Sequence, residues 1–182
     1  MRGGALLNPE KNLIRKAKRG DKSALDELLG LYYAEIYKYC CWHTKSPEEA
    51  EDATQETFYK AVRFMGAYKN TGTFKAYLYK IALNICIDRN RKKTNSEVSV
   101  GDIADTELSY IERGYDNIES EIDLGKLLEP LTEKQREMVI LKYSENLTLK
   151  EIAAVTGSNL RTCQSNLRKA LKNIEKNMRG GF

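Results

Sequence analysis

Apolar residues recur at intervals of three and four along most of the chain, which is the period of an amphipathic α-helix. The first such stripe begins after Asp21, a residue type that caps helix N-termini, and predicts one helix from that point. Its apolar members are Leu25, Leu28, Leu29, Tyr32, Ile36, Tyr39 and Cys40.

Two further helices follow in the first half of the chain. Ser46-Pro47-Glu48-Glu49 is typical of a helix start, with a capping serine, proline at the first helical position and glutamate three residues after the cap. A loop of polar and small residues then runs from Gly66 to Thr73. The next helix is predicted from Phe74 to about Lys93, and its apolar side consists of Phe74, Leu78, Ile81 and Ile85.

The helical period stops at Thr94 and resumes at Leu124, and the polar, acidic stretch between them predicts a flexible linker. Pro130 marks the entry to another helix, and the runs starting at Thr132 and Thr148 each have the pattern of a capping box. Strand signals are nearly absent. We therefore expect an all-α fold with two small helical domains, residues 8–94 and 124–178, joined by a flexible acidic linker over residues 95–123.

Charge follows the same division. Residues 1–94 hold 18 basic and 11 acidic residues, a net charge of +7, and residues 126–182 hold 11 basic and six acidic ones, a net charge of +5. Residues 95–125 hold one basic and nine acidic residues, a net charge of −8. Two basic domains indicate a polyanionic partner, since neutralisation of phosphates drives most non-specific nucleic-acid binding.

The second domain has the pattern of a helix-turn-helix. A short helix from Leu149 to Val155 ends at Thr156-Gly157, where glycine can adopt the left-handed backbone of a tight turn, and a second helix starts near Asn159. This second helix is expected to bury Cys163, Leu167, Ala170, Leu171 and Ile174. In such units the second helix enters the major groove of DNA. Its outward face carries residue types that read base edges or hold phosphates, namely Arg161, Thr162, Gln164, Ser165, Asn166, Arg168, Lys169 and Lys172.

Other classes of protein fit poorly. No apolar run is long enough to span a membrane or to form a signal peptide, so we expect a cytoplasmic protein. Four cysteines and one histidine, without a CxxC pair, do not supply a zinc site, and the cysteines are expected to be reduced and mostly buried. No Ser/His/Asp set, P-loop or glycine-rich dinucleotide turn is present, so we expect no catalytic residues, no metal and no cofactor.

Three runs carry a resemblance to a known family. They are EDATQETFYKA (residues 51–61), FKAYLYKIALNICIDRNRKK (residues 74–93) and LEPLTEKQREMVILKY…LTLKEIAAVTGSNLRTCQSNLRKALKNI in the C-terminal part. In this order and at this spacing the chain, from about residue 8 to residue 178, resembles the bacterial sigma factors of the extracytoplasmic-function subfamily. The resemblance implies a non-enzymatic subunit that binds core RNA polymerase, through its clamp and flap regions, and promoter DNA.

The resemblance also implies roles for particular residues. The surface that docks on the polymerase clamp corresponds to Asp52, Gln55, Glu56 and Tyr59, which share one helix face. The part that opens and reads the −10 element corresponds to Tyr68, Lys69, Asn70, Tyr77, Lys80, Asn84 and Arg91. There, aromatic rings could stack on unpaired bases while basic side chains follow phosphates. The outward face of the recognition helix corresponds to the reader of the −35 element.

Two more expectations come from the family. Its linker threads the RNA exit channel of the polymerase, although a solvated tether would have the same composition. An anti-sigma factor is expected to control the protein. The chain departs from the usual pattern at Tyr77, where the family has Trp, and at Ser158, Cys163-Gln164 and Asn166, so the −35 sequence that it reads stays open.

Two alternatives from other classes remain. A regulator of the response-regulator type would have a similar DNA-binding domain, but it would carry an α/β receiver in place of the helical basic domain predicted here. An enzyme is the other, and the chain offers few residues for acid–base chemistry.

Overall fold

The computed structural model of the protein describes residues 9–69, 72–96 and 127–180, without the side chains of residues 93–96 and 179–180. Its N-terminal domain contains helices α1 (Pro9–Ala17), α2 (Lys22–Gly30), α3 (Tyr33–Cys41), α4 (Pro47–Arg63) and α5 (Phe74–Ser96), with a short 3₁₀ turn (Met65–Ala67) after α4. Its C-terminal domain contains α6 (Glu133–Val139), a π-helical turn (Ile140–Ser144), α7 (Leu149–Thr156) and α8 (Leu160–Gly180). The described residues contain no strand, which confirms the all-α prediction.

The single helix predicted after Asp21 is wrong, because the chain breaks it into α2 and α3. Asp21 does cap α2, where its carboxylate accepts the backbone N–H of Ala24 at 3.1 Å. The turn after Gly30 places the ring of Tyr32 5.8 Å from the ring of Phe74. Tertiary packing therefore decides the break, and the apolar spacing alone does not reveal it because buried residues continue at similar intervals on both sides.

The core of the N-terminal domain lies between α3, α4 and α5. Cys40 and Cys86 are buried in it, as the sequence predicts, and Cys41 is half-buried. Along α4 two threonines are buried, and each hydroxyl donates to a backbone carbonyl four residues earlier, at 2.7 Å. The largest fully buried side chains of this domain are Tyr39, Tyr79, Phe74, Leu28, Ile36, Leu78 and Ile85.

The caps of the helices match the sequence patterns with one difference. Thr132 and Thr148 both form reciprocal capping boxes, with Gln135 and Glu151 respectively. At Ser46, the hydroxyl accepts the N–H of Glu49, and the Glu49 carboxylate accepts the N–H of Lys45, the residue before the cap.

The C-terminal domain has the expected helix, turn and helix. Gly157 ends α7 with φ of 66° and ψ of 17°, the left-handed backbone that the sequence predicts. Cys163, Leu167 and Ala170 of α8 are buried, but Leu171 is 44% exposed and was wrongly assigned to the core. Leu171 directly follows the buried Ala170, so it faces about a quarter-turn away from the rest of the domain.

The two domains contact each other, which the sequence does not predict. Helix α5 of the N-terminal domain packs along α7 of the C-terminal domain. The predicted acidic linker lies outside the described residues, apart from residues 95 and 96, which extend α5. No described helix has the length and apolar composition needed to cross a membrane.

The turn at Gly157 can be tested by its backbone conformation alone, because a Cβ added there would meet no atom within 4 Å. We expect Gly157→Ala to lower the free energy of unfolding by about 1 kcal/mol, since left-handed backbone is costly for residues with a Cβ. Gly157→Asn should cost less, because asparagine tolerates that conformation. Denaturant unfolding of the full chain measures both, with Ser158→Ala as the control. Equal losses for alanine and asparagine would contradict the conformational explanation.

Candidate functional site

One face of α4 points away from the core and carries the residues predicted to dock on a protein. Asp52 and Gln55 are exposed, and Tyr59 is 64% exposed. The opposite face of the helix is buried through Ala53 and Thr57. Protein interfaces commonly combine an aromatic ring with polar groups that lose their bound water on association.

Glu56 on this face is held by two basic side chains. Its carboxylate lies 2.9 Å from Lys60 Nζ and accepts Arg89 Nη2 at 3.0 Å. The hydrogen bond from Lys60, with help from Arg89, lowers the pKa of Glu56 despite partial burial. Arg89 also lies 3.9 Å from Asp52, so one α5 side chain holds two residues of the α4 face in place. The sequence pattern did not single out Arg89.

A second surface lies along α5. Tyr77, Lys80, Asn84 and Arg91 stand three, four and seven residues apart and therefore share one side of the helix. Lys80, Asn84 and Arg91 are exposed, whereas Tyr77 is half-buried and its hydroxyl donates to the Ala61 carbonyl at 3.4 Å. This side of α5 offers cations and an amide to solvent, with an aromatic ring at one end.

The loop before α5 is held by its aromatic residue. Tyr68 is 6% exposed, its ring lies 5.5 Å from that of Phe74 and 4.8 Å from that of Tyr77, and its hydroxyl donates to the Gly72 carbonyl. Lys18 of the N-terminal domain donates to the Tyr68 carbonyl and lies over the ring. In this arrangement the Tyr68 ring is packed inside the domain.

The remaining two residues of this group lie in the same loop. Lys69 is exposed, and Asn70 lies outside the described residues.

The third surface is the outer side of α8. Asn159 caps this helix by accepting the N–H of Thr162 at 2.8 Å, which fixes where the helix starts after Gly157. The inner side is buried through Cys163, Leu167 and Ala170. Asn166 is half-buried, and the other predicted residues are exposed, namely Arg161, Thr162, Gln164, Ser165, Arg168, Lys169 and Lys172.

The charge of α8 suits a polyanion. Among its described side chains Glu175 is the one acidic residue, and it stands near the C-terminal end, away from the first turns that face a groove in helix-turn-helix proteins. The basic residues among the described side chains of α8 are Arg161, Arg168, Lys169, Lys172 and Lys176. Within the described part of the chain no group of three or more His, Cys, Asp or Glu residues could hold a metal ion.

Comparison with known proteins matches both domains. Residues 28–96 match the family described as Sigma-70 region 2, and residues 122–174 match Sigma-70, region 4. The chain is 29% identical over 157 residues to the RNA polymerase sigma factor SigV of Bacillus subtilis, covering 86% of this chain and 92% of SigV. It is 28% identical over 180 residues to the ECF RNA polymerase sigma factor SigW of the same organism, covering 93% and 96% of the two chains.

Solved structures show the same fold. CnrH, in complex with the cytosolic domain of CnrY, has a TM-score of 0.72 and 17% identity, with 96% of this chain and 100% of CnrH covered. The sigma factor RpoE of Bartonella quintana, in complex with the anti-sigma factor NepR, has a TM-score of 0.66 and 22% identity, with 86% and 98% covered.

Proposed function

Because the chain belongs to the extracytoplasmic-function sigma factors of the sigma-70 family, we propose that it directs core RNA polymerase to a specific set of promoters. It acts by binding, since sigma factors are initiation factors and not enzymes. In this proposal residues 8–94 bind the polymerase and the −10 element, and residues 124–178 bind the −35 element. The observation that carries the proposal is that the three predicted surfaces lie on separate helices with most of their side chains exposed.

The α4 face is proposed to dock on the polymerase clamp. Gln55 supplies an exposed amide, which donates to Glu51 at 3.4 Å, and Tyr59 supplies an aromatic ring that is 64% exposed. Glu56 mainly holds the side chains of this face in place, because its carboxylate already pairs with Lys60 and Arg89. By the same family resemblance, we propose that the C-terminal domain binds the flap of the polymerase.

The exposed side of α5 is proposed to bind the opened −10 element. Lys80 and Arg91 lie 11 residues apart, which is about 16 Å along the helix. That distance spans several nucleotides of a single strand, so both cations can follow its phosphates. Asn84 lies between them, where its amide can hydrogen-bond an extruded base. Tyr77 supplies an aromatic ring at one end of this side of α5. Tyr68 supports the loop from within the domain.

An anti-sigma factor is the remaining partner that we propose. RpoE is solved in complex with the anti-sigma factor NepR and CnrH with the cytosolic domain of CnrY, and both folds match this chain. The cytoplasm is the location where polymerase, promoter and sigma factor meet, so we place the protein there.

The experiment that tests the function is reconstitution with core polymerase, followed by sequencing of the 5′ ends of the transcripts. We expect start sites that share upstream sequences at fixed distances and that are absent without the protein. Unchanged transcripts, or nanomolar sequence-specific binding to duplex DNA by the free protein, would argue instead for an autonomous DNA-binding regulator.

For the clamp surface, we expect Asp52→Ala and Gln55→Ala each to weaken binding to core polymerase several-fold, or roughly 1 kcal/mol, as for interface residues outside the central cluster. Tyr59→Ala should cost more, because large aromatic rings dominate such interfaces. Titration of labelled protein with core polymerase measures the affinities. Asp26→Ala removes an exposed carboxylate of α2 and serves as the control. If it weakened binding as much as Asp52→Ala does, the effect would be one of net charge and not of this face.

In the recognition helix α8, we expect residues near the N-terminal end to read bases and residues further along to bind phosphates. Arg168 and Lys169 lie closer to the start of the helix than Lys172, and recognition helices usually read bases with their N-terminal residues. We expect Arg168→Ala or Lys169→Ala to cost about 1–3 kcal/mol on the preferred promoter and to relax its sequence preference. Lys172→Ala should weaken binding on all sequences alike and reduce the salt slope by about one.

The measurement is holoenzyme binding across a library of −35 sequences at two salt concentrations. If Lys172→Ala changed the preferred −35 sequence while Arg168→Ala and Lys169→Ala left it unchanged, the proposed orientation of α8 in the groove would be wrong.

A further inference from the structure

The residue that directly follows α1 contacts the loop that leads into α5. Lys18 donates a hydrogen bond from its ammonium group to the Tyr68 carbonyl, 50 residues further along the chain, and the same ammonium lies 5.4 Å from the centre of the Tyr68 ring. A hydrogen bond from a charged donor is stronger than one between neutral groups, and the ring adds a cation–π attraction. Two contacts with one side chain therefore tie this loop to the end of α1.

The backbone of Lys18 is held by the packing of α1. Leu13, Ile14 and Ala17 are buried in that helix, which packs along α2. The backbone N–H of Lys18 donates to the Ile14 carbonyl at 3.0 Å, and the chain then turns at Gly20, whose φ is 89°. The side chain of Lys18 is exposed, but it starts from a backbone position that the core determines.

Tyr68 connects this contact to the proposed −10 surface. Its ring lies 4.8 Å from the Tyr77 ring and 5.5 Å from the Phe74 ring, and its hydroxyl donates to the Gly72 carbonyl at 3.1 Å. Tyr77 is half-buried, and its own hydroxyl makes a longer hydrogen bond, 3.4 Å, to the Ala61 carbonyl. Packing against Tyr68 therefore restrains the Tyr77 ring, which is the aromatic group at one end of that surface.

The first turn of α1 contacts the same aromatic cluster. Glu10 is hydrogen-bonded to the Tyr32 side chain, and the Tyr32 ring lies 5.8 Å from the Phe74 ring. Burial, together with the carboxylate of Glu10, raises the pKa of Tyr32, so its hydroxyl stays protonated and donates to that carboxylate. Residues at both ends of the α1 segment thus hold aromatic side chains that pack on Phe74.

We propose that Lys18 is a positioning residue for −10 recognition, which holds Tyr68 and thereby orients Tyr77 and the exposed Lys69 towards DNA without contacting DNA itself. This inference rests on the proposed function, because it concerns a promoter element. It assigns a part in recognition to a segment that precedes residues 28–96, which match Sigma-70 region 2. Contact residues that their neighbours hold in place before binding need less ordering on binding, so they discriminate between sequences more sharply.

A direct phosphate contact is the competing role for an exposed lysine beside this surface. The two roles differ in their dependence on salt and on sequence. A phosphate contact contributes about one to the salt slope and strengthens binding to all sequences alike. A positioning residue leaves the salt slope unchanged and alters the preference among −10 sequences.

The test uses three variants of the full chain. Lys18→Met keeps a long apolar side chain but removes the ammonium, and Lys18→Arg keeps a cation that donates hydrogen bonds. Lys16→Met is the matched control, because it removes an exposed cation from the last turn of α1, two residues earlier. Circular dichroism melting checks that each variant is folded.

Hydrogen exchange of the free protein measures the anchoring without reference to promoters. The amides to follow are those of Ala67 and Tyr68, which donate to the Phe64 and Met65 carbonyls. We expect them to exchange about fivefold faster in Lys18→Met, the factor for one lost hydrogen bond. Their rates should stay native in Lys18→Arg and in Lys16→Met. Unchanged rates in Lys18→Met would overturn the anchoring.

Transcription with core polymerase, saturating protein and a library of −10 sequences measures the consequence for recognition. We expect Lys18→Met to lower the ratio of yields from preferred and mismatched −10 sequences about fivefold, with the −35 preference unchanged. Lys18→Arg and Lys16→Met should keep the native ratio. The salt slope of holoenzyme binding to the preferred promoter should be the same for all four proteins.

Three results of the library experiment would overturn the positioning role while promoter-specific transcripts persisted. They are an equal loss of yield on all −10 sequences in Lys18→Met, a salt slope lower by about one in that variant, and the same change of preference in Lys16→Met. Absence of promoter-specific transcripts from the native chain would instead overturn the proposed function, and the exchange rates would then report the contact between Lys18 and Tyr68 alone.

Discussion

The burial of α5 is the constraint on which the rest of the structure depends. Leu78, Tyr79, Ile85 and Cys86 are each at most 1% exposed. No single neighbour accounts for this, because α3, α4 and α7 all pack on the same helix. Its exposed residues include Lys80, Asn84 and Arg91. Since α5 is the shared neighbour, the α4 face proposed to dock on the clamp, the proposed −10 surface and the surface that contacts the C-terminal domain are fixed relative to one another.

This burial explains what the sequence could and could not predict. The capping boxes at Thr132 and Thr148 and the left-handed Gly157 depend on residues within four positions, so the pattern is sufficient. The bond between Tyr39 and Glu137 joins residues 98 positions apart, and that between Tyr79 and Glu145 joins residues 66 apart. No local period encodes such pairs. The sequence interpretation therefore missed the contact between the two domains, although it predicted each domain.

A signal for that contact did exist in α5. The sequence interpretation assigned it one apolar side, yet Tyr79, Leu83 and Cys86 lie on other sides of the helix and are buried as well. A helix with apolar residues on several sides is normally enclosed by more than one partner. The same reasoning applies to Tyr68, which lies in the polar loop and was placed by the family resemblance in the −10 reader. The neighbouring Phe74 and Tyr77 enclose its ring, and this could not be inferred from the loop's composition.

The chemistry of the domain contact also differs from that of the DNA surfaces in its response to salt. The phosphate binding that we propose for Lys80, Arg91 and the cations of α8 would release counterions, so it would weaken steeply as the salt concentration rises. At the domain contact, Tyr39 and Tyr79 are neutral donors, and buried hydrogen bonds are screened much less than exposed charges. High salt therefore weakens the proposed binding to DNA more than it weakens the contact between the two domains.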